Sequence, residues 1–189
     1  MNSAIRNEIE NTPEIDDRSP DKALHPNILA VLHYWNGKKK DRHPPFRSDI
    51  DPCEIPRFLP GIWLLDVETA PFRLRYRLVG TNIVDAIGDD PTGRYLDEAH
   101  PHIRQIDGFF DRYRKALETG IPSRRRGTAV LWRNDDFRDI ENIVLPLRNA
   151  ESSGHIIMVK TVLFRWDGSN PKTPGVLRNV DFRERIREA

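Results

Sequence analysis

Residues 72–79, Phe72-Arg73-Leu74-Arg75-Tyr76-Arg77-Leu78-Val79, alternate between large apolar and cationic side chains. Successive side chains on a strand point to opposite faces. This stretch therefore reads as a strand that buries Phe72, Leu74, Tyr76 and Leu78 and turns Arg73, Arg75 and Arg77 the other way. The apolar run Ile62-Trp63-Leu64-Leu65-Asp66-Val67 precedes it, and Glu68-Thr69-Ala70-Pro71 joins the two in a length suited to a hairpin. An antiparallel pair with one buried face is the seed of the fold.

Downstream, Gly80-Thr81 ends the strand and offers Thr81 as a helix cap. Ile83, Val84, Ala86 and Ile87 then form a short apolar segment that stops at Gly88. Asp89-Asp90-Pro91-Thr92-Gly93 carries turn chemistry. The spacing of Ile103, Ile106, Phe110, Tyr113 and Leu117 predicts one longer helix over about residues 101–118, ending before Gly120. Three strands follow within 123–132, 137–147 and 155–164, the first two joined by Arg133-Asn134-Asp135-Asp136.

Upstream, Leu24, Ile28, Val31, Leu32 and Trp35 recur at helical spacing. Pro26 suits a first turn and Gly37 a last one. Five prolines (Pro44, Pro45, Pro52, Pro56, Pro60) then exclude long regular structure from residues 44–60. The intervening Ile50, Ile55, Phe58 and Leu59 lay that arm against the body. Two strands, then helices, then a three-strand meander is not a βαβ alternation. It predicts an α+β fold: a five-stranded antiparallel sheet with helices on one face, preceded by an amphipathic helix and a proline-rich arm. The divisions are a flexible N-terminal tail (1–21), the domain with its helix and arm (22–164) and a polar C-terminal tail (165–189), where Val180 to Ile186 could form a short helix.

Composition agrees with one domain and polar ends: 189 residues, 38% hydrophobic and 31% charged, with 15 prolines. A net charge of +1 provides no global field toward nucleic acid or an anionic membrane. Cys53 is the single cysteine, which excludes an intrachain disulfide and a multi-cysteine zinc site. The start lacks a signal-peptide core, and no apolar run approaches the roughly 20 residues of a membrane span. The expected location is the cytoplasm.

Four pieces together resemble a PAS-like family known mainly from alphaproteobacteria. They are the opening helix with LHYWNGKK, the arm RSDIDPCEIPRFLPGIWLLDV, the segment RLRYRLVGTNIVDAIGDDPTGRYLDE, and the closing meander with LPL. They cover about residues 24–164, and GT…G…TGRYLDE is the most specific. The resemblance implies a sensory and protein-interaction module acting in bacterial signal transduction. It also implies homodimers or contact with a signalling protein such as a kinase or cyclase. A scaffold used for many signals does not identify its own.

No reactive centre emerges from the residues. There is no G-x-S-x-G elbow and no phosphate-cradling loop, and Cys53 has no identifiable histidine partner, so no enzyme is expected. The flavin-bonding cysteine motif of light-sensing PAS domains is missing. Haem would need an axial ligand, but a proline lies between His100 and His102 and neither belongs to the Ile103–Ile106–Phe110 stripe, so they read as cap and surface. Asp97, Glu98, His100 and His102 match no zinc spacing. No cofactor is predicted, with haem or a small apolar ligand as the alternatives.

The concavity between sheet and helices is the expected ligand pocket, with Trp63, Tyr76, Ile83, Phe110, Tyr113, Trp132 and Met158 as candidates to line it or fill it. The edge of the first helix, Leu24, Ile28, Leu32 and Trp35, is more apolar than a solvated helix requires. It is the expected dimer or partner contact, together with Arg73, Arg75 and Arg77. Lys38-Lys39-Lys40 and Arg124-Arg125-Arg126 read as solvated runs. The expected function is a non-catalytic sensory or adaptor domain working through protein contact. The alternative is an adaptor that binds nucleic acid or a nucleotide second messenger on its arginine face.

Overall fold

A computed structural model of the chain describes residues 16–17, 23–39, 43–131, 137–149 and 154–165. The strand over 72–79 is β3 (Phe72–Val79), and β2 (Ile62–Thr69) pairs with it antiparallel from Trp63↔Val79 to Thr69↔Phe72. The meander is β4 (Ser123–Thr128), β5 (Phe137–Arg148) and β6 (His155–Arg165). Pairing of β6 with β2 closes the five antiparallel strands into the order β4-β5-β6-β2-β3. A two-residue strand, β1 (Asp16–Asp17), runs parallel to the outer edge of β4, so part of the stretch assigned to the N-terminal tail is paired.

The helices that follow β3 lie on one face of the sheet, as expected, and the first helix with the proline arm covers the other. Strand β2 shows why. Its alternate residues Trp63, Leu65 and Val67 enter one apolar cluster, and Ile62 and Leu64 enter a second. A strand that opens with four apolar residues in a row needs cover on both sides. On the first side lie α2 (Thr81–Ile87), α3 (Leu96–Ala99) and α4 (Asp111–Thr119). On the second lie α1 (Pro26–Gly37) and the proline arm, with Ile28, Val31, Leu32, Trp35, Ile50, Ile55 and Phe58 packed on Ile143, Leu145, Leu147, Ile156 and Met158.

The local chemistry sets these elements. His25 caps α1 by accepting the Asn27 backbone N–H at 3.1 Å, and Pro26 occupies the first turn. The arm resolves into three 3-10 turns, Arg47–Asp49, Pro52–Glu54 and Pro56–Gly61, with a proline opening each of the last two. Asp51 accepts the Cys53 N–H at 2.8 Å, and the Asp51 N–H donates to the Tyr34 hydroxyl of α1 at 2.8 Å. Short turns with side-chain caps satisfy a backbone that proline bars from helix and sheet.

The single helix expected over 101–118 is broken. A 3-10 turn spans Pro101–Gln105, Gly108 then adopts φ +69°, and α4 starts only at Asp111. A left-handed residue cannot sit inside a right-handed helix. The apolar stripe still reaches the core, because Ile103, Ile106 and Tyr113 are buried there, and Phe110 and Leu117 pack against it.

Candidate functional site

The sheet–helix interior is filled by the side chains expected to line it. Trp63 and Tyr76 are fully enclosed with ring centroids 5.6 Å apart, and Ile83 and Tyr113 are buried in the same cluster. The Trp63 indole N–H donates to the Thr161 hydroxyl at 3.0 Å. Phe110 sits at the rim, edge-on to Phe72 with centroids 6.1 Å apart. Trp132 lies outside the described residues, and Met158 faces the opposite cluster, beneath the arm. The expected pocket set is thus divided between two faces.

His100 corrects the surface reading. It is buried, and its Nε2 shares a hydrogen bond of 3.0 Å with the Tyr76 hydroxyl. Burial pushes the Tyr76 hydroxyl well above its ordinary pKa, which keeps it neutral. His102 donates to the Val130 carbonyl at 2.7 Å. The two histidines therefore tie the helix layer to the sheet and the segment after β4.

The TGRYLDE segment works as a clasp on β3. Gly93, at φ +86°, donates its N–H to the Tyr76 carbonyl at 2.7 Å, and the Tyr76 N–H donates to the Arg94 carbonyl at 2.9 Å. Leu96 is buried, while Asp97 and Glu98 accept from the Arg73 guanidinium at 2.9 and 2.7 Å. That guanidinium lies 3.6 Å from the Tyr95 ring centroid, and the Tyr95 hydroxyl donates to Glu68 at 2.6 Å. Arg75 and Arg77 share Asp66 at 3.4 and 3.0 Å. Each cation of the ladder therefore has a carboxylate beside it, which weakens the field it offers to phosphate.

Leu78 departs from the alternation. Leu65 pairs with Tyr76 and the adjacent Leu64 with Leu78, so Arg77 is an extra residue, a β-bulge. The bulge turns Leu78 to the face opposite Tyr76, where it is 47% exposed and the one large apolar side chain so exposed among the described residues.

On that face a cavity of about 410 Å³ opens between the arm and the β2–β3 end of the sheet. Ile50, Ile55, Leu59, Ile62, Leu64 and Met158 contribute to its walls with Leu78, and Arg47 is its charged residue. Gly80 holds the floor: a Cβ there would lie 2.4 to 2.7 Å from the carbonyl oxygens of Leu59, Pro60 and Ile62. Beside the cavity, Lys160 is buried and donates to the Phe58 carbonyl at 3.1 Å. Burial pushes its ammonium pKa down to about 8. Sequence reading missed this cavity. The one signal for it was that Ile62-Trp63-Leu64-Leu65 is apolar on both faces.

The expected contact edge of α1 is already used within the chain. Ile28, Leu32 and Trp35 have no exposed surface, Leu24 packs partly buried beside them, and the Trp35 indole N–H donates to the Pro146 carbonyl at 3.0 Å. A dimer through these side chains would have to strip α1 from the sheet. The 124–126 run is likewise not a solvated face, because Arg124 is wholly buried against Glu141 at 3.0 Å and Arg125 donates to the Thr128 carbonyl at 2.8 Å.

No described helix is long and apolar enough to cross a membrane. Among curated proteins none matches the chain. A family model described as PAS domain matches residues 23–108, from the start of α1 through the arm, the β2–β3 hairpin and the clasp to the turn at Gly108. Over residues 23–108 the chain is similar to a PAS domain, and its five antiparallel strands and their helices form a PAS-like α+β fold.

Proposed function

We propose that the protein is a non-catalytic sensory or adaptor domain of a cytoplasmic signalling system, whose output is contact with another protein such as a kinase or cyclase. The packed sheet–helix interior carries this reading. Trp63, Tyr76, Ile83 and Tyr113 occupy the space where an internal ligand would sit, so recognition falls to the outer surface. There the exposed strand β3 presents Arg75, Arg77 and the bulged Leu78 side by side. Arginine next to an uncovered apolar side chain suits a protein partner better than nucleic acid. If the domain also pairs with itself, that surface, and not the α1 edge, is the contact.

Proximity labelling in the native cell tests the reading with the full chain. The expected result is enrichment of a signalling protein over a tag-only control, lost in the Arg75→Glu/Arg77→Glu variant while its circular dichroism is unchanged. A wild-type profile that matches the control refutes it. Sedimentation velocity of the same two proteins decides whether the partner is a second copy.

A further inference from the structure

The cavity beneath the arm is distinct from the interior in which a PAS-type ligand was expected. Its lining is apolar apart from Arg47 at one side and Thr81 at another. A volume of about 410 Å³ falls within the range of small-molecule sites, and a mostly apolar lining with few polar anchors is their usual composition. Its walls are stiff: Pro52, Pro56 and Pro60 line it, and Gly80 is wedged against three backbone oxygens. A preformed site loses little ordering entropy on binding. Leu78, turned into this face by the bulge, remains 47% exposed for want of cover.

We propose that this cavity binds an amphiphilic monocarboxylate, with its aliphatic chain between the arm and Leu78, Leu64 and Met158 and its carboxylate on Arg47. The charge of the head group follows from Arg47, the charged residue of the lining. Its Nη1 donates to the Ile50 carbonyl at 3.1 Å, which fixes the side chain, and a guanidinium has five donors to offer. A cavity of about 150 Å³ takes one benzene, so this one holds on the order of a dozen carbons.

Titration calorimetry of the full chain with octanoate, decanoate and dodecanoate below their micellar concentrations tests it. Each buried methylene tightens binding about fourfold, so successive members differ by about fifteenfold until the chain fills the site. Arg47→Gln weakens decanoate about tenfold or more and leaves decanol unchanged, and Leu78→Glu abolishes binding of both. In a methyl and indole NMR titration, decanoate shifts the Met158 methyl and leaves the Trp63 indole in place. Absence of saturable binding up to about 1 mM overturns the proposal. So does decanoate affinity unaltered by both variants, or a shift confined to Trp63.

Discussion

Replacing Glu141 by leucine tests how α1 is fastened to the sheet. Glu141 and Arg124 have no exposed surface, and Arg124 Nε donates to Glu141 Oε1 at 3.0 Å. The same oxygen accepts the His25 N–H at 3.1 Å, while Arg124 Nη2 donates to the Ala23 carbonyl at 2.7 Å. The pair therefore joins β4 and β5 to the residues that lead into α1. Glu141→Leu removes the buried carboxylate shared by the Arg124 guanidinium and the His25 N–H, and losing one member of a buried ion pair costs about 3–5 kcal/mol. With a urea slope of about 2 kcal/mol/M, the unfolding midpoint falls by about 2 M. Trp35 and Trp63, on opposite faces of the sheet, make tryptophan fluorescence the assay. The Arg124→Leu/Glu141→Leu double variant is expected to be no less stable than Glu141→Leu alone, a coupling of about 2 kcal/mol or more. Single costs that simply add within about 0.5 kcal/mol would refute the reasoning.

Lys160 gives the fold a pH dependence. Its pKa is about 8 when folded against the ordinary lysine value of 10.5, so the unfolded chain binds more protons between those values and stability rises with pH there. Denaturation midpoints at pH 7.5 and 10 should show the rise, and Lys160→Met should remove it. Tyr76→Phe removes the hydroxyl bonded to the buried His100 Nε2 and should cost about 1 kcal/mol in urea unfolding; a cost below about 0.5 would mean that the bond is not made. Gly80→Ala drives a methyl into three backbone oxygens, so a melting scan should show a loss of about 3 kcal/mol. Gly37→Ala, with nothing within 4 Å of the new carbon, is the control and should not destabilise.

Most elements were legible because they rest on local rules. Side-chain period identified β3, and helical spacing with Pro26 and Gly37 identified α1. What failed depends on contacts distant in sequence. The bulge at Arg77 is set by how β2 pairs across the hairpin, and nothing in FRLRYRLV announces it. The same apolar edge of α1 suits a second copy or the back of the sheet, and periodicity cannot choose between them. His100 follows a short helix and precedes a proline, which reads as a cap until Tyr76 is brought beside it. Arg124 resembles its solvated neighbours in sequence, and only the pairing of β4 with β5 places Glu141 within reach. The site fared worst, since a cavity is the space left between an irregular arm and a sheet, and neither has a pattern for emptiness.

The polypeptide enters the domain at two anchor points, Asp16–Asp17 along β4 and His25 on the Glu141 carboxylate of β5. Both belong to the β4–β5 half of the sheet, while Leu78 and the cavity belong to the β2–β3 half. A pull transmitted through these two anchors therefore loads the β4–β5 half of the sheet first. Mechanical load arriving from that direction must cross β6, the strand between the halves, before it reaches the arm.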